Sequence, residues 1–154
     1  MPLSKRSKRT QVSKSNSDPS AVSAQRSETM RAVKAFDTGP ERVVRSIVHR
    51  MGFRFRLSNS TLPGKPDIVM RRHRTVIFVH GCFWHGHACR RGARTPKNNR
   101  DYWLAKIGRN KARDVKVCDS LRNLGWRVLV VWECELQTKD VLISRLRRDL
   151  EDLA

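Results

Sequence analysis

The chain has 154 residues, enough for one domain with a hydrophobic core. Its 33 Lys and Arg residues against 14 Asp and Glu residues give a formal net charge of +19, which favours nucleic acid as the partner. No apolar run reaches the roughly 18 residues of a membrane-spanning helix and no basic amphipathic helix stands alone, so we expect no membrane partner.

The first 25 residues are basic, rich in serine and almost free of apolar side chains. Such a segment cannot bury enough surface to offset the entropy lost on ordering. We therefore predict a disordered basic arm at residues 1–25 and one folded domain at residues 26–154. A spurious upstream start, a solubilising tail or a transit peptide would share this composition.

The folded part is predicted to begin with a helix near Pro40, because proline suits the first helical position. Thr38 or Gly39 would cap this helix, and Gly52 would end it. Apolar side chains recur between these points at helical spacing, at Val43, Val44, Ile47, Val48 and Met51. One face of the helix is therefore expected to pack on the core.

Four strands and two further helices are predicted after it. Residues 53–57 alternate apolar and polar side chains, typical of a half-buried strand, and short apolar strands follow at 67–70 and 75–79. A long helix at about 101–124 precedes an apolar strand at 126–132, which is typical of a strand buried on both faces in a parallel pair. With a closing helix at residues 140–150, the order predicts an α/β fold with helices on both faces of a mixed sheet.

The most distinctive segment covers residues 80–89, His-Gly-Cys-Phe-Trp-His-Gly-His-Ala-Cys. Thiols and imidazoles at this density suit tetrahedral zinc, and four cysteines without a secretory segment favour a reducing cytoplasm. If neighbouring strands bring a fourth ligand to the loop, a Cys₃His site would comprise Cys82, His87, Cys89 and Cys134. The alternative is unrelated buried thiols, which is what we expect of Cys118 in the long helix.

Three polar side chains near this loop are candidates for hydrolytic chemistry. Asp67 begins a strand, where a carboxylate either caps the turn or binds a metal ion at the edge of the sheet. One carboxylate is enough for a magnesium site, because water and phosphate fill the other positions. His80 and His85 flank the thiol loop and could activate water or stabilise charge on a phosphate.

Large aromatic side chains mostly fill cores, and we expect this of Trp126 and Trp132. Phe83, Trp84 and Trp103 instead lie close in sequence to many basic residues. Apolar wedges of this kind unstack base pairs in DNA-binding proteins. The surrounding cations would contact phosphates, and they are Arg90, Arg91, Arg94, Lys97 and Arg100.

These segments together resemble the very-short-patch repair endonucleases, bacterial enzymes that nick one DNA strand at T·G mismatches. The similarity is carried, in the family's order, by residues 30–33, 62–67, 76–85, 102–110 and 124–134. The resemblance implies a restriction-endonuclease-like α/β/α core with a mixed sheet and a structural zinc site. It also implies a magnesium-dependent mismatch endonuclease of DNA repair, active as a cytoplasmic monomer.

The resemblance further implies the metal ligands. Asp67 and the main-chain carbonyl of Val79 would bind Mg²⁺. Structural Zn²⁺ would be held by Cys82, His87, Cys89 and Cys134. Well-known members of the family have threonine at the position of Val79. The substitution should not matter to the metal, because the ligand is the main-chain carbonyl.

Other roles implied by the resemblance concern catalysis. His85 would be the water-activating base, supported by Asp114 of the long helix. His80 would be the second catalytic imidazole, and Glu41 an outer member of the site.

The resemblance also implies how DNA is bound. Phe83, Trp84 and Trp103 would enter the duplex from the major groove, and Met30 would approach from the opposite groove. The partner would be double-stranded DNA with a T·G mismatch left by deamination of 5-methylcytosine, and mismatch-repair proteins are candidate further partners. Two alternatives stay open: a nickase of unmismatched DNA from a mobile element or defence system, and a non-catalytic zinc-containing DNA-binding protein.

Overall fold

The structure is a computed structural model that describes residues 37–57 and 61–151. The predicted arm at residues 1–25, its boundary with the folded domain, and Met30 lie outside the described residues. None of the described helices is long and apolar enough to cross a membrane.

The described residues form three α-helices, two short 3-10 helices (Arg71–His73 and Glu133–Gln137) and a four-stranded sheet. The α-helices are α1 (Gly39–Arg50), α2 (Arg100–Asn123) and α3 (Lys139–Glu151), and the strands are β1 (Arg56–Leu57), β2 (Ile68–Met70), β3 (Thr75–His80) and β4 (Arg127–Trp132). The strand order is β1-β2-β3-β4; the first two pairs are antiparallel, and β3 pairs with β4 in parallel. The predicted mixed α/β sheet is therefore confirmed.

Helix α1 begins where Thr38 caps it, so the first of the two predicted caps is the one used. The Thr38 hydroxyl accepts from the Glu41 amide at 3.4 Å and donates to the Glu41 carboxylate at 2.9 Å. The same carboxylate also accepts the Asp37 amide at 3.0 Å. This reciprocal capping satisfies amide groups that a helix start leaves without partners, and it explains why a glutamate is buried there.

Two apolar cores lie on opposite faces of the sheet. Side chains of α1 and α3, among them Val48 and Leu146, pack with Ile77 on one face. Leu121 of α2 packs with Val76 on the other. The molecule thus has helix, sheet and helix layers, with the carboxyl ends of β3 and β4 at one edge.

Two predicted strands differ from the prediction. In the segment 53–57 only the two residues of β1 pair with a neighbouring strand, because β2 has only three residues and two of those pair with β1. Phe53 and Phe55 pack on the core without strand pairing. Strand β4 pairs in parallel as predicted but is an edge strand of the described sheet, so only Val131 in it is fully buried. Trp126 and Trp132, at the two ends of this edge strand, are only partly buried, and Cys118 on α2 is also only partly buried rather than a core thiol.

Candidate active site and metal cluster

Three cysteines and one histidine converge beyond the carboxyl ends of β3 and β4. One ligand atom from each of four residues lies within 4.8 Å of all the others, and the four are Cys82, His87, Cys89 and Cys134. The Cys134 Sγ lies 3.5 Å from Nδ1 of His87, and all these thiols are free. Sulfurs bound to one tetrahedral zinc are about 3.8 Å apart, so the donor set fits zinc.

The fold explains why residues so far apart in sequence meet here. Cys82 follows β3 and Cys134 follows β4, and the parallel register pairs His80 with Trp132 just before them. The Cys134 amide donates to Cys82 Sγ at 3.3 Å, and the Gly92 amide donates to Cys89 Sγ at 3.4 Å. The alternative of unrelated thiols is therefore wrong for three of the four cysteines.

The thiols of this cluster have unequal proton affinities. Burial raises the pKa of Cys82 to about 12. Hydrogen bonds from His87 and from the Gly92 amide lower the pKa of Cys89 to about 6. Burial also raises the pKa of Cys134. Since a thiolate is the metal ligand, binding a metal here would release protons from Cys82 and Cys134.

His80 and His85 lie next to the cluster and form a stacked pair. Their ring centroids are 3.9 Å apart with 8° between the planes. Asp114 on α2 approaches His85 with 2.5 Å between Oδ2 and Nδ1, so helix α2 orients this ring from the other side. Burial, followed by the nearby His85, lowers the pKa of His80 to about 4, which makes this imidazole neutral at pH 7.

Asp67 lies beside β3 at the same edge of the sheet, because β2 runs antiparallel to β3. Its Oδ2 accepts the Val79 amide at 2.7 Å. Burial raises the pKa of Asp67 to about 6; Glu41 raises it further, while the Val79 bond, Arg45 and His85 lower it. Glu41 and His85 are therefore close enough to Asp67 to shift its pKa in opposite directions.

These residues fit a hard divalent cation. In an extended strand the N–H and C=O of one residue point to the same side, so the Val79 carbonyl faces the same side as Asp67. A carboxylate and a carbonyl are the oxygen donors that Mg²⁺ accepts. The carboxylate also lacks a full countercharge, since Arg45 is bonded to Asp37 at 2.7 Å and to Glu41 at 2.8 Å.

Glu41 is near this site but its carboxylate has other partners. One oxygen accepts from Thr38, and the other accepts from Asp37 and Arg45. Its first role in the structure is to cap α1 and to hold Arg45, and its effect on Asp67 is electrostatic. A role as an outer member of the site stays a prediction.

The three predicted wedge residues form one aromatic cluster. Phe83 lies 5.2 Å from Trp84 and 5.7 Å from Trp103, between ring centroids. Nζ of Lys106 lies 5.3 Å from the ring centroids of both tryptophans, and Asn110 donates to the Trp84 carbonyl at 2.8 Å. Partly buried aromatics with a cation beside them suit contact with nucleic acid bases.

Sequence reasoning missed one residue of the site. Trp132 was expected to fill the core, whereas its ring stacks on His87 and meets His80 edge-on. The two predicted strands could have indicated this position. If residues 75–79 pair in parallel with the strand at 126–132, extending the pairing by one residue places Trp132 opposite His80.

Comparisons with known proteins find similarity to DNA endonucleases. A family model described as DNA mismatch endonuclease Vsr matches residues 20–91. That range includes Asp67 and both stacked histidines, whereas Asp114 and Cys134 lie beyond it.

Individual relatives extend the similarity over most of the chain. Type II nicking enzyme V.XorIIP of Xanthomonas oryzae pv. oryzae (strain KACC10331 / KXO85) is 52% identical over 122 residues, 79% of this chain and 89% of that protein. Type II nicking enzyme V.NmeAIP of Neisseria meningitidis serogroup A / serotype 4A is 43% identical over 86% of this chain and 94% of its own. DNA mismatch endonuclease Vsr of Escherichia coli (strain K12) is 44% identical over 77% of this chain and 76% of its own.

Proposed function

The chain belongs to the Vsr DNA mismatch endonuclease family, and from this premise we propose that it nicks one strand of DNA 5′ to the thymine of a T·G mismatch. Family membership makes it a DNA endonuclease. The name of its Escherichia coli relative supports action at a mismatch, and that relative covers most of the chain. We further propose that the three layers are a restriction-endonuclease-like core, which places a carboxylate at the sheet edge.

One observation carries this proposal: Asp67 and the His85–Asp114 pair converge on one edge of the sheet. Asp114 accepts the Nδ1 proton of His85, which leaves Nε2 free to take a proton from water. His80 stacks on that ring in its neutral form and limits its movement. Asp67 and the Val79 carbonyl would hold Mg²⁺, which when bound supplies positive charge beside the scissile phosphate.

Selectivity for the mismatch would come from the aromatic cluster of Phe83, Trp84 and Trp103. A wedge that unstacks a base step costs less free energy at a poorly paired step than at a matched one. The exposed cations of residues 90–100 would contact phosphates around it. The cluster would therefore discriminate by the cost of deformation rather than by reading base edges alone.

The direct test compares nicking of duplexes that share one sequence and differ in a single T·G pair. We expect magnesium-dependent nicking of the thymine strand in the mismatched duplex and little in the matched one. Equal nicking of both would favour the alternative of a nickase for unmismatched DNA; two relatives are named type II nicking enzymes, with no mismatch in the name. Binding without nicking under any divalent ion would favour the non-catalytic alternative.

A second prediction concerns zinc. We expect one Zn²⁺ per chain by metal analysis, and only Cys118 should then react with a thiol reagent, because the other thiols are ligands. Cys134→Ser should release zinc and expose the remaining thiols. Cys118→Ser is the matched control and should keep zinc; zinc retained equally by both variants would contradict the ligand set.

A further inference from the structure

Trp132 lies between the metal cluster and the histidine pair. Its ring stacks on His87 with centroids 4.3 Å apart and 23° between the planes. The same ring meets His80 edge-on at 5.3 Å and 74°, and His85 at 6.5 Å and 71°. One indole thus contacts an imidazole of the cluster and an imidazole of the stacked pair.

The backbone of Trp132 is held from two sides. Its residue pairs with His80 in the β3–β4 register, and its amide donates to Oε2 of Glu135 at 2.7 Å. Arg145 on α3 donates to the same oxygen at 3.1 Å and to the Val130 carbonyl at 3.2 Å. With the main chain fixed in this way, the direction of the indole depends on the rings that it touches.

We propose that Trp132 is a positioning residue that transmits the order of the metal cluster to the catalytic histidines. This inference rests on the proposed function for the role of His80 and His85. When His87 is held as a metal ligand, its ring presents a fixed flat surface to the indole. The T-shaped contact with the indole then keeps His80 stacked on His85, so that the ring facing Asp114 stays in one orientation.

Three variants separate this role from simple packing. Trp132→Leu removes the flat ring, Trp132→Phe keeps an aromatic ring, and His87→Cys keeps four metal ligands but loses the stack on the indole. Trp126→Leu is the matched control. Trp126 is also a partly buried tryptophan, but it directly precedes the first residue of β4, at the end of the strand opposite to Trp132, and it touches none of these histidines. Each is measured with its zinc content determined.

We expect the single-turnover nicking rate at saturating T·G duplex to fall about 10- to 100-fold in Trp132→Leu and in His87→Cys. The dissociation constant for DNA should stay within about threefold of wild type, well below that loss of rate, and the zinc content should stay at one ion per chain. Trp132→Phe should recover most of the rate. Loss of zinc in Trp132→Leu, failure of rescue by phenylalanine, or an equal rate loss in Trp126→Leu would each overturn the proposal.

A readout without substrate keeps the inference separate from the proposed function. Rings 3.9 Å apart should give a nuclear Overhauser effect between the ring protons of His80 and His85 in the zinc-loaded protein. We expect this signal in wild type, Trp132→Phe and Trp126→Leu, and its loss in Trp132→Leu and His87→Cys. A signal that persists in Trp132→Leu overturns the inference, whereas the expected pattern in a protein that never nicks T·G DNA overturns only the proposed function.

Discussion

Asp67→Asn is expected to reduce single-turnover nicking by on the order of 10³-fold and at the same time to stabilise the folded protein. The loss follows because the variant lacks the charge that would bind Mg²⁺, a contribution of several kcal/mol to the transition state. The gain follows because burial raises the pKa of Asp67 from 3.8 to about 6, so the charged carboxylate is unfavourable in the fold. Asparagine can still accept the Val79 amide without this cost.

The stability difference should depend on pH in a defined way. Folding raises the pKa of Asp67, so the stability that its proton contributes to wild type is full below about pH 4 and is lost as the pH rises through about 6. Asparagine has no such proton. The variant should therefore match wild type below pH 4 and exceed it by at most about 2–3 kcal/mol above pH 7, measured by urea unfolding without magnesium.

Asp119→Asn is the matched control for this comparison, because Asp119 is an exposed carboxylate on α2 whose ion-pair partner among the described residues is Arg122, at 3.1 Å. It should change neither nicking nor the pH dependence of unfolding. Nicking by Asp67→Asn at the wild-type rate would show that the metal site is misplaced. A variant less stable than wild type at pH 8 would show that the carboxylate is not penalised by burial.

The second large effect is expected at the histidine that Asp114 orients. His85→Ala should lower the single-turnover nicking rate by about 10²- to 10⁴-fold, the usual contribution of a general base. Asp114→Asn should cause a comparable loss although it preserves shape. Its amide can donate to Nδ1, which places the imidazole proton on Nε2 and removes the lone pair needed to accept a proton from water.

Both variants should bind T·G duplex with the affinity of wild type, since neither residue belongs to the aromatic cluster or to the cations proposed to contact phosphates. The readouts are therefore a binding titration and a single-turnover rate on the same duplex. Asp119→Asn again serves as the control, because Asp119 lies on the same helix but is exposed to solvent on a different face. A near-normal rate in Asp114→Asn would mean that the 2.5 Å contact with His85 plays no part in proton transfer.

Local patterns predicted most elements well and their lateral pairing less well. Helix α1 and its cap followed from Pro40, Thr38 and the apolar spacing, because capping and periodicity act within a few residues. The segment 53–57 alternates as a strand does, yet only two of its residues pair, because strand length depends on the partner. Burial of β4 was overestimated for a similar reason: an edge position in the described sheet is set by the whole topology.

The thiols and imidazoles of residues 80–89 determined by their chemistry alone that this chain could hold a soft metal ion beside acid–base groups. Tertiary structure decided which distant side chains complete each site. Cys134 reaches Cys82, Asp114 reaches His85 and Trp132 reaches His87 only because β3 and β4 run in parallel and α2 packs on the sheet. Contacts between residues far apart in sequence are set by the packing of elements, and local propensity does not encode that packing.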